Sequence, residues 1–231
     1  MMTDTRLPEN VAMTGSSTPW QHASLAALDL EGTGAQDRHD EAILEIAVIP
    51  LADGHPELSQ AYCTLINPQR PVPRRPWISP GLATQALTAA PVISDAEPEL
   101  ARRLSGVIIA GHNVGVDWRL LHRRCPSVRP ADLLDTLRLA RLAHPRETGN
   151  SLAKLLDRHQ LTRQVTQLAP GSQQHRALWD AIGAALLLRA LVTTCYPDGA
   201  SIGELLAAAG TETADHTDAP GSTATQGQLF S

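Results

Sequence analysis

The sequence predicts an α/β domain: a mixed sheet flanked by helices. Three observations carry this. SLAALDL, AILEIAVIPL and AYCTLIN are apolar runs divided by the turn-rich EGTGAQDRHDE and ADGHPE, as expected of antiparallel strands joined by short loops. VIIAGHN reads as a fourth, buried strand running straight into a helix. VDWRLLHRRC, DLLDTLRLARLA, SLAKLLDRHQL and HRALWDAIGAALLLRALV then show helical periodicity.

The remaining segments follow from local chemistry. Residues 1–22 read as a flexible arm; acidic residues come early and no apolar core follows, so it is not a signal peptide. NPQRPVPRRPWISP is too proline-rich for a regular element. SDAEPELARRL predicts a helix opened by a Ser94-x-x-Glu97 capping box, with Pro98 tolerable only in its first turn. Past Cys195, YPDG turns the chain into a short helix with its own capping box, Ser201-x-x-Glu204, ending at Gly210. Residues 211–231 are rich in Thr, Ala, Asp and Gly and are expected to be disordered. The expected organisation is an arm over 1–22, a domain over 23–195, and a short helix with a tail over 196–231.

Composition narrows the class. The chain has 231 residues, enough for one good core, and aromatics are only 3%, so that core must be mostly Ala, Leu, Val and Ile. Cys63, Cys125 and Cys195 lie far apart without a CxxC pair, which argues against zinc or a disulfide framework and for a reducing, cytoplasmic home. Ala181 to Leu188 is apolar but is interrupted by Arg189, so no membrane partner is expected. The net charge of −5 hides an asymmetry: residues 61–190 hold 17 of the 19 basic and 9 of the 24 acidic residues. That basic middle is mostly arginine and permits a phosphodiester substrate. Arg70, Arg74, Arg75, Arg102, Arg103, Arg119, Arg123 and Arg124 are the candidate phosphate ligands.

The chemistry is carried by carboxylates. Asp29 and Glu31 end the first strand, and alternate strand residues face one side, so both carboxylates point together. Such a pair repels, and a hard divalent cation is the usual compensation. Gly34 lets the backbone turn tightly beside them. Asp117 follows the fourth strand, where α/β sheets gather polar groups. His175 and Asp180 are five residues apart, about 140° around a helix, so they share a site best if His175 sits on the loop before it. A mobile His175 could then take a proton from water.

Together DLEGTG, GHNVGVD and HRALWD, in this order and context, resemble the DnaQ-like (DEDDh) exonuclease family over residues 23–195. INPQRPVP and DTLRLARLA resemble its connecting segments. The resemblance implies an RNase H-like fold with a mixed five-stranded sheet, and hydrolysis of terminal phosphodiesters from 3′ DNA ends, releasing nucleoside monophosphates. It implies two Mg2+ (or Mn2+) ions. Asp29, Glu31 and Asp180 would hold one; Asp29 would bridge to a second, which Asp117 supports; His175 would be the general base. Thr33 and Asn113 match positions that line the terminal nucleotide's pocket. The sequence departs from the family at three points. Gly32 replaces Thr, Ser or Ala; Ala35 replaces a larger apolar residue beside the 3′ base; and Ser79-Pro80-Gly81-Leu82 stands where a His-Gly segment is usual. The last two bear on substrate preference rather than on the metal site.

The chain ends QGQLFS, where Gln226, Leu229 and Phe230 match the Gln-x-x-Leu-Phe peptide that docks bacterial replication proteins on the sliding clamp. Two other readings compete with a DNA exonuclease. One is an exoribonuclease of the same fold, separated only by contacts to the 2′-hydroxyl. The other is an inactive module that binds a clamp or polymerase, against which stands the presence of all five expected catalytic residues.

Overall fold

The computed structural model describes residues 17–213, except Pro73, Pro80 and Ala83. Gln226, Leu229 and Phe230, with the expected arm before Ser17 and the tail beyond Thr213, lie outside the described residues.

The sheet is built on β1 (Leu25–Gly32), whose residues Leu25 to Leu28 are all buried. β2 (Ile43–Ala52) pairs antiparallel with β1, with Asp29 opposite Ala47 and Glu31 opposite Glu45. β3 (His55–Pro56) and β4 (Tyr62–Leu65) both pair with β2. On the other edge of β1 lie β5 (Ile108–Gly111) and β6 (Asp132–Asp135), both parallel, then β7 (Gly210–Thr211), antiparallel. The sheet is thus mixed, as expected. Its seven strands include two of only two residues each, which leaves the five that the resemblance implied.

Helices cover both faces because β1 alternates. Leu25 and Ala27 join the apolar cluster of α7 (Ala177–Cys195), with α4 (Thr136–Ala143), α5 (Leu152–Arg158), α6 (Thr162–Leu168) and α8 (Ile202–Ala209) around it. Ala26 and Leu28 join the cluster of α2 (Ile93–Leu104) and α3 (Val114–Arg124) on the opposite face. α1 (Thr84–Leu87) is a single turn before α2. Among the described residues, α7 is the one helix long and apolar enough to cross a membrane. Its apolar window is 67% buried inside the domain, because it runs between the sheet and α4, α5 and α6.

Several expectations are corrected. DLLD in DLLDTLRLARLA forms β6, and the helix begins only at Thr136; four residues between flanking elements hide a strand's period. The Ser94 capping box does not form. α2 starts at Ile93 after Val92, and the Glu97 carboxylate instead accepts from the Ser127 amide (2.8 Å) and hydroxyl (2.6 Å). Pro98 therefore sits in the second turn, where it forgoes one backbone bond. The box at Ser201 and Glu204 does form.

The packed unit also extends beyond 23–195. Trp20 is only 3% exposed, its amide donates to Ala200, and Pro19 bridges to Ser201. Gly54, with φ +75, leaves room for the Trp20 ring, since a Cβ there would lie 2.6 Å from it. Replacing Trp20 with Ala should cost about 3 kcal/mol, the usual scale for emptying a buried aromatic site. Urea unfolding measures this, and a loss under about 1 kcal/mol would show that residues 17–22 are not part of the core.

Candidate active site

The site lies where β1 leaves the sheet. Asp29 and Glu31 project to the same face as Leu25 and Ala27, the face crossed by α7. Asp180 occupies the first turn of α7, so it meets them there. One carboxylate oxygen from each of Asp29, Glu31 and Asp180 falls within 4.8 Å of the others. Asp117 arrives from the opposite face. α3 begins at the end of β5, and Asp117 in its first turn accepts the Leu30 amide at 3.2 Å. The strand-end pair and both helix-borne carboxylates therefore converge at one end of β1.

His175 precedes α7, also as predicted. Its backbone is left-handed (φ 63), its side chain is exposed, and its amide donates to Asp180 Oδ2 at 3.0 Å. That bend sets the imidazole apart from the helix while tying its backbone to the Asp180 carboxylate. Asn113 is likewise left-handed (φ 62) and exposed, and its amide is fixed at 2.8 Å by Asp135, which also caps α4. Thr33 differs from expectation. It is fully buried, and its hydroxyl accepts the Ala42 amide at 3.0 Å, so the side chain orders the loop and is not offered to a nucleotide.

Three residues of the site were not singled out from sequence. Glu45, directly across β2 from Glu31, is paired by the Arg176 guanidinium through two bonds of 2.7 Å and accepts the Ala177 amide at 3.2 Å. A lone carboxylate inside the apolar run AILEIAVIPL was the available signal. Arg176 adjoins His175, so this ion pair clamps the loop before α7 onto the sheet. Ser79 is buried, and its hydroxyl contacts both Glu31 Oε2 (3.1 Å) and the His175 carbonyl. It belongs to the Ser79-Pro80-Gly81-Leu82 segment that departs from the family.

The arginines expected to meet phosphate are largely engaged within the protein. Arg70 and Arg75 pair with Asp37, Arg119 with Glu41, and Arg102 and Arg103 with Glu99. Arg123 and Arg124 bond backbone carbonyls of the loop before β2.

Burial and crowding dominate the electrostatics. Asp29 is held well above the ordinary carboxylate range by burial, then by the charges of Asp117, Asp180, Glu31 and Glu45. Burial, then the Asp180 charge, pushes Glu31 up to about 8, against the Ser79 hydroxyl. Burial lifts Asp117 to about 8 despite the Leu30 amide, and Asp180 to about 7 despite the His175 amide. A set of oxygen donors that holds protons this tightly is one a hard divalent cation fits, because the cation supplies the missing positive charge.

Comparison with known proteins covers the stretch of chain that carries these residues. The profile of the RNase T family, described as Exonuclease, matches residues 26–188. A DNA polymerase III of the PolC type from Thermotoga petrophila is 32% identical over 176 residues, 74% of this chain and 12% of that protein. The 3′-5′ exonuclease DinG of Staphylococcus haemolyticus is 27% identical over 171 residues, 72% of this chain and 18% of that protein. This chain is thus similar to a small part of each. The structure of Exonuclease X in complex with 5′ overhanging duplex DNA superposes with a TM-score of 0.55 at 27% identity, covering 74% of this chain and 92% of that one.

Two outcomes follow from the geometry. The raised carboxyls bind protons more tightly folded than unfolded. As pH rises from about 4 towards 8, the unfolded chain sheds protons that the folded one keeps, and metal-free stability falls. Millimolar Mg2+ should raise Tm more at pH 8 than at pH 6, because the ion competes with those protons. Thermal melts at both values check this, and a shift that shrinks with pH would refute the shared-proton account. Glu45→Ala should strand the half-buried Arg176 charge and cost about 3 kcal/mol, read by urea unfolding.

Proposed function

Because this chain belongs to the RNase T exonuclease family, we propose that it is a metal-dependent 3′-to-5′ exonuclease that removes nucleoside monophosphates from DNA ends. The observation that carries the proposal is the convergence of Asp29, Glu31 and Asp180 within 4.8 Å, with Asp117 beside them and His175 at the rim. The all-oxygen donor set suits Mg2+ or Mn2+. Asp29, Glu31 and Asp180 would hold one ion, and Asp29 with Asp117 a second. Such ions supply charge compensation for the phosphodiester and activate water.

The chain's own residues do the rest. His175 accepts the proton of the attacking water and, being exposed, passes it to solvent. The tie between its amide and Asp180 keeps base and carboxylate in register. Attack on phosphorus breaks the bond to the preceding nucleotide's 3′ oxygen, which takes up a proton from solvent as it leaves. Asn113, at the mouth of β5, contacts the departing nucleotide.

DNA is favoured over RNA by the Exonuclease X complex and by the DNA polymerase III and DinG relatives. These relatives, with the Gln226, Leu229 and Phe230 peptide, also support work in replication or repair, recruited by a bacterial sliding clamp.

Oligonucleotides labelled at either end, incubated with Mg2+, test the reaction. The wild type should shorten DNA stepwise from the 3′ end. Asp29→Asn or a chelator should abolish shortening, and His175→Ala should lower kcat by roughly 10²–10⁴. Shortening of RNA alone would reassign the substrate, and no release from either would leave a binding module. For the tail, fluorescence polarisation should show a labelled C-terminal peptide binding a bacterial clamp, with Phe230→Ala eliminating the signal; equal binding by both would refute docking.

A further inference from the structure

Trp77 stands apart from the other three tryptophans. Trp20, Trp118 and Trp179 are 3–4% exposed, whereas Trp77 is 39% exposed. An aromatic ring left in water forgoes the free energy of burial, so one held rigidly at a surface suggests a ligand. Trp77 is held in this way. Its indole N–H donates to the Thr33 carbonyl at 3.2 Å, on the loop that leaves β1 two residues after Glu31. The same edge of the ring lies on Gly34, whose φ is +96 and where a Cβ would come within 2.7 Å of the indole nitrogen. Gly34 is thus needed twice, for its backbone angle and for its bare surface.

The ring is also flanked. The Arg75 guanidinium sits 5.4 Å from its centroid and is fixed by Asp37 at 2.6 Å. Two residues further on, Ser79 contacts both Glu31 and the His175 carbonyl. The segment bearing Trp77 is therefore pinned to the carboxylates on one side and to the β1 loop on the other. Thr33 lies roughly 7 Å along the chain from Glu31, from two residues of extended backbone. A phosphodiester at the carboxylates puts an adjoining sugar and base within reach of the indole. The neighbouring Ala35 offers only a methyl group.

We propose that Trp77 is the stacking platform for the base of the nucleotide being removed, making it a specificity-determining residue of this site. The proposal rests on the exonuclease reading above. Stacking on a fixed indole is tolerant of base identity, since every base has a π face, and it predicts that the protein reads the presence of a base rather than its sequence.

The test pairs the ring with the base. Wild type, W77F and W77Q are compared on single-stranded DNA whose 3′-terminal nucleotide is either normal or abasic. W77Q keeps an N–H donor for Thr33 but has no ring; W77F keeps a ring but has no donor. On normal DNA, W77Q should raise KM about tenfold or more with a smaller change in kcat, and W77F should remain within a few-fold of wild type. On abasic DNA, wild type should itself lose affinity, and the gap between it and W77Q should close. An unchanged gap on abasic DNA, or a loss in W77F equal to that in W77Q on both substrates, would overturn the stacking role. The latter result would assign Trp77 to ordering the β1 loop. A wild type that shortens neither DNA nor RNA would instead sink the exonuclease reading, and the stacking role with it.

Discussion

Asp29, Glu31, Glu45, Asp117 and Asp180 bring five carboxyls to one end of β1, and holding them there against their repulsion is the constraint that the surrounding structure answers. Two full charges 4.8 Å apart repel by roughly 3–4 kcal/mol at an intermediate protein dielectric, a sizeable share of a domain's net stability. The protein meets this in three ways. Desolvation and mutual repulsion shift the half-buried carboxyls of Asp29 and Glu31 towards their neutral forms. One full positive charge, Arg176, is set against Glu45. Backbone amides of Leu30, His175 and Ala177 point at Asp117, Asp180 and Glu45. The scaffold must also be stiff. β1 is paired on both edges, and α7 is buried on most of its surface, so neither can drift to relieve the crowding.

What could be read in the sequence was local. Strand periodicity placed Asp29 and Glu31 together, and the turn angle between His175 and Asp180 required His175 to precede the helix; both follow from geometry within a few residues. The β1–β2–β4 meander was legible because its apolar runs are long or clearly bounded. β6 was not, because Asp132 to Asp135 is too short to display a period and merges with the helix that follows. The two capping boxes look alike in sequence, yet only that of Ser201 forms, since Glu97 is drawn to Ser127, 30 residues away. Distance in sequence also hid Arg176 and Glu45, 131 residues apart, and Ser79 against Glu31, 48 apart. Their partners are chosen by the fold. Trp20 was misjudged because a lone proline-flanked aromatic ahead of the first strand carries no period at all.

The two sides of the site are built differently. The carboxylate side stands on β1, α3 and α7, three elements embedded in the apolar clusters, where a shift of any carboxyl would disturb the core. The other side is the stretch from Asn67 to Val92, which contains a single helical turn and is tacked to the domain at separate points: Asn67 to Val92, Arg70 to Asp37, Trp77 to Thr33 and Ser79 to Glu31. Within it Leu82 and Leu87 are buried against Leu44 in a small apolar cluster of their own, separate from the two clusters that seat the carboxyls, so changes in that stretch can leave the carboxyls in place. Inheritance can then act on the two sides as nearly separate traits. A lineage could reshape the one without first dismantling, and having to rebuild, the other.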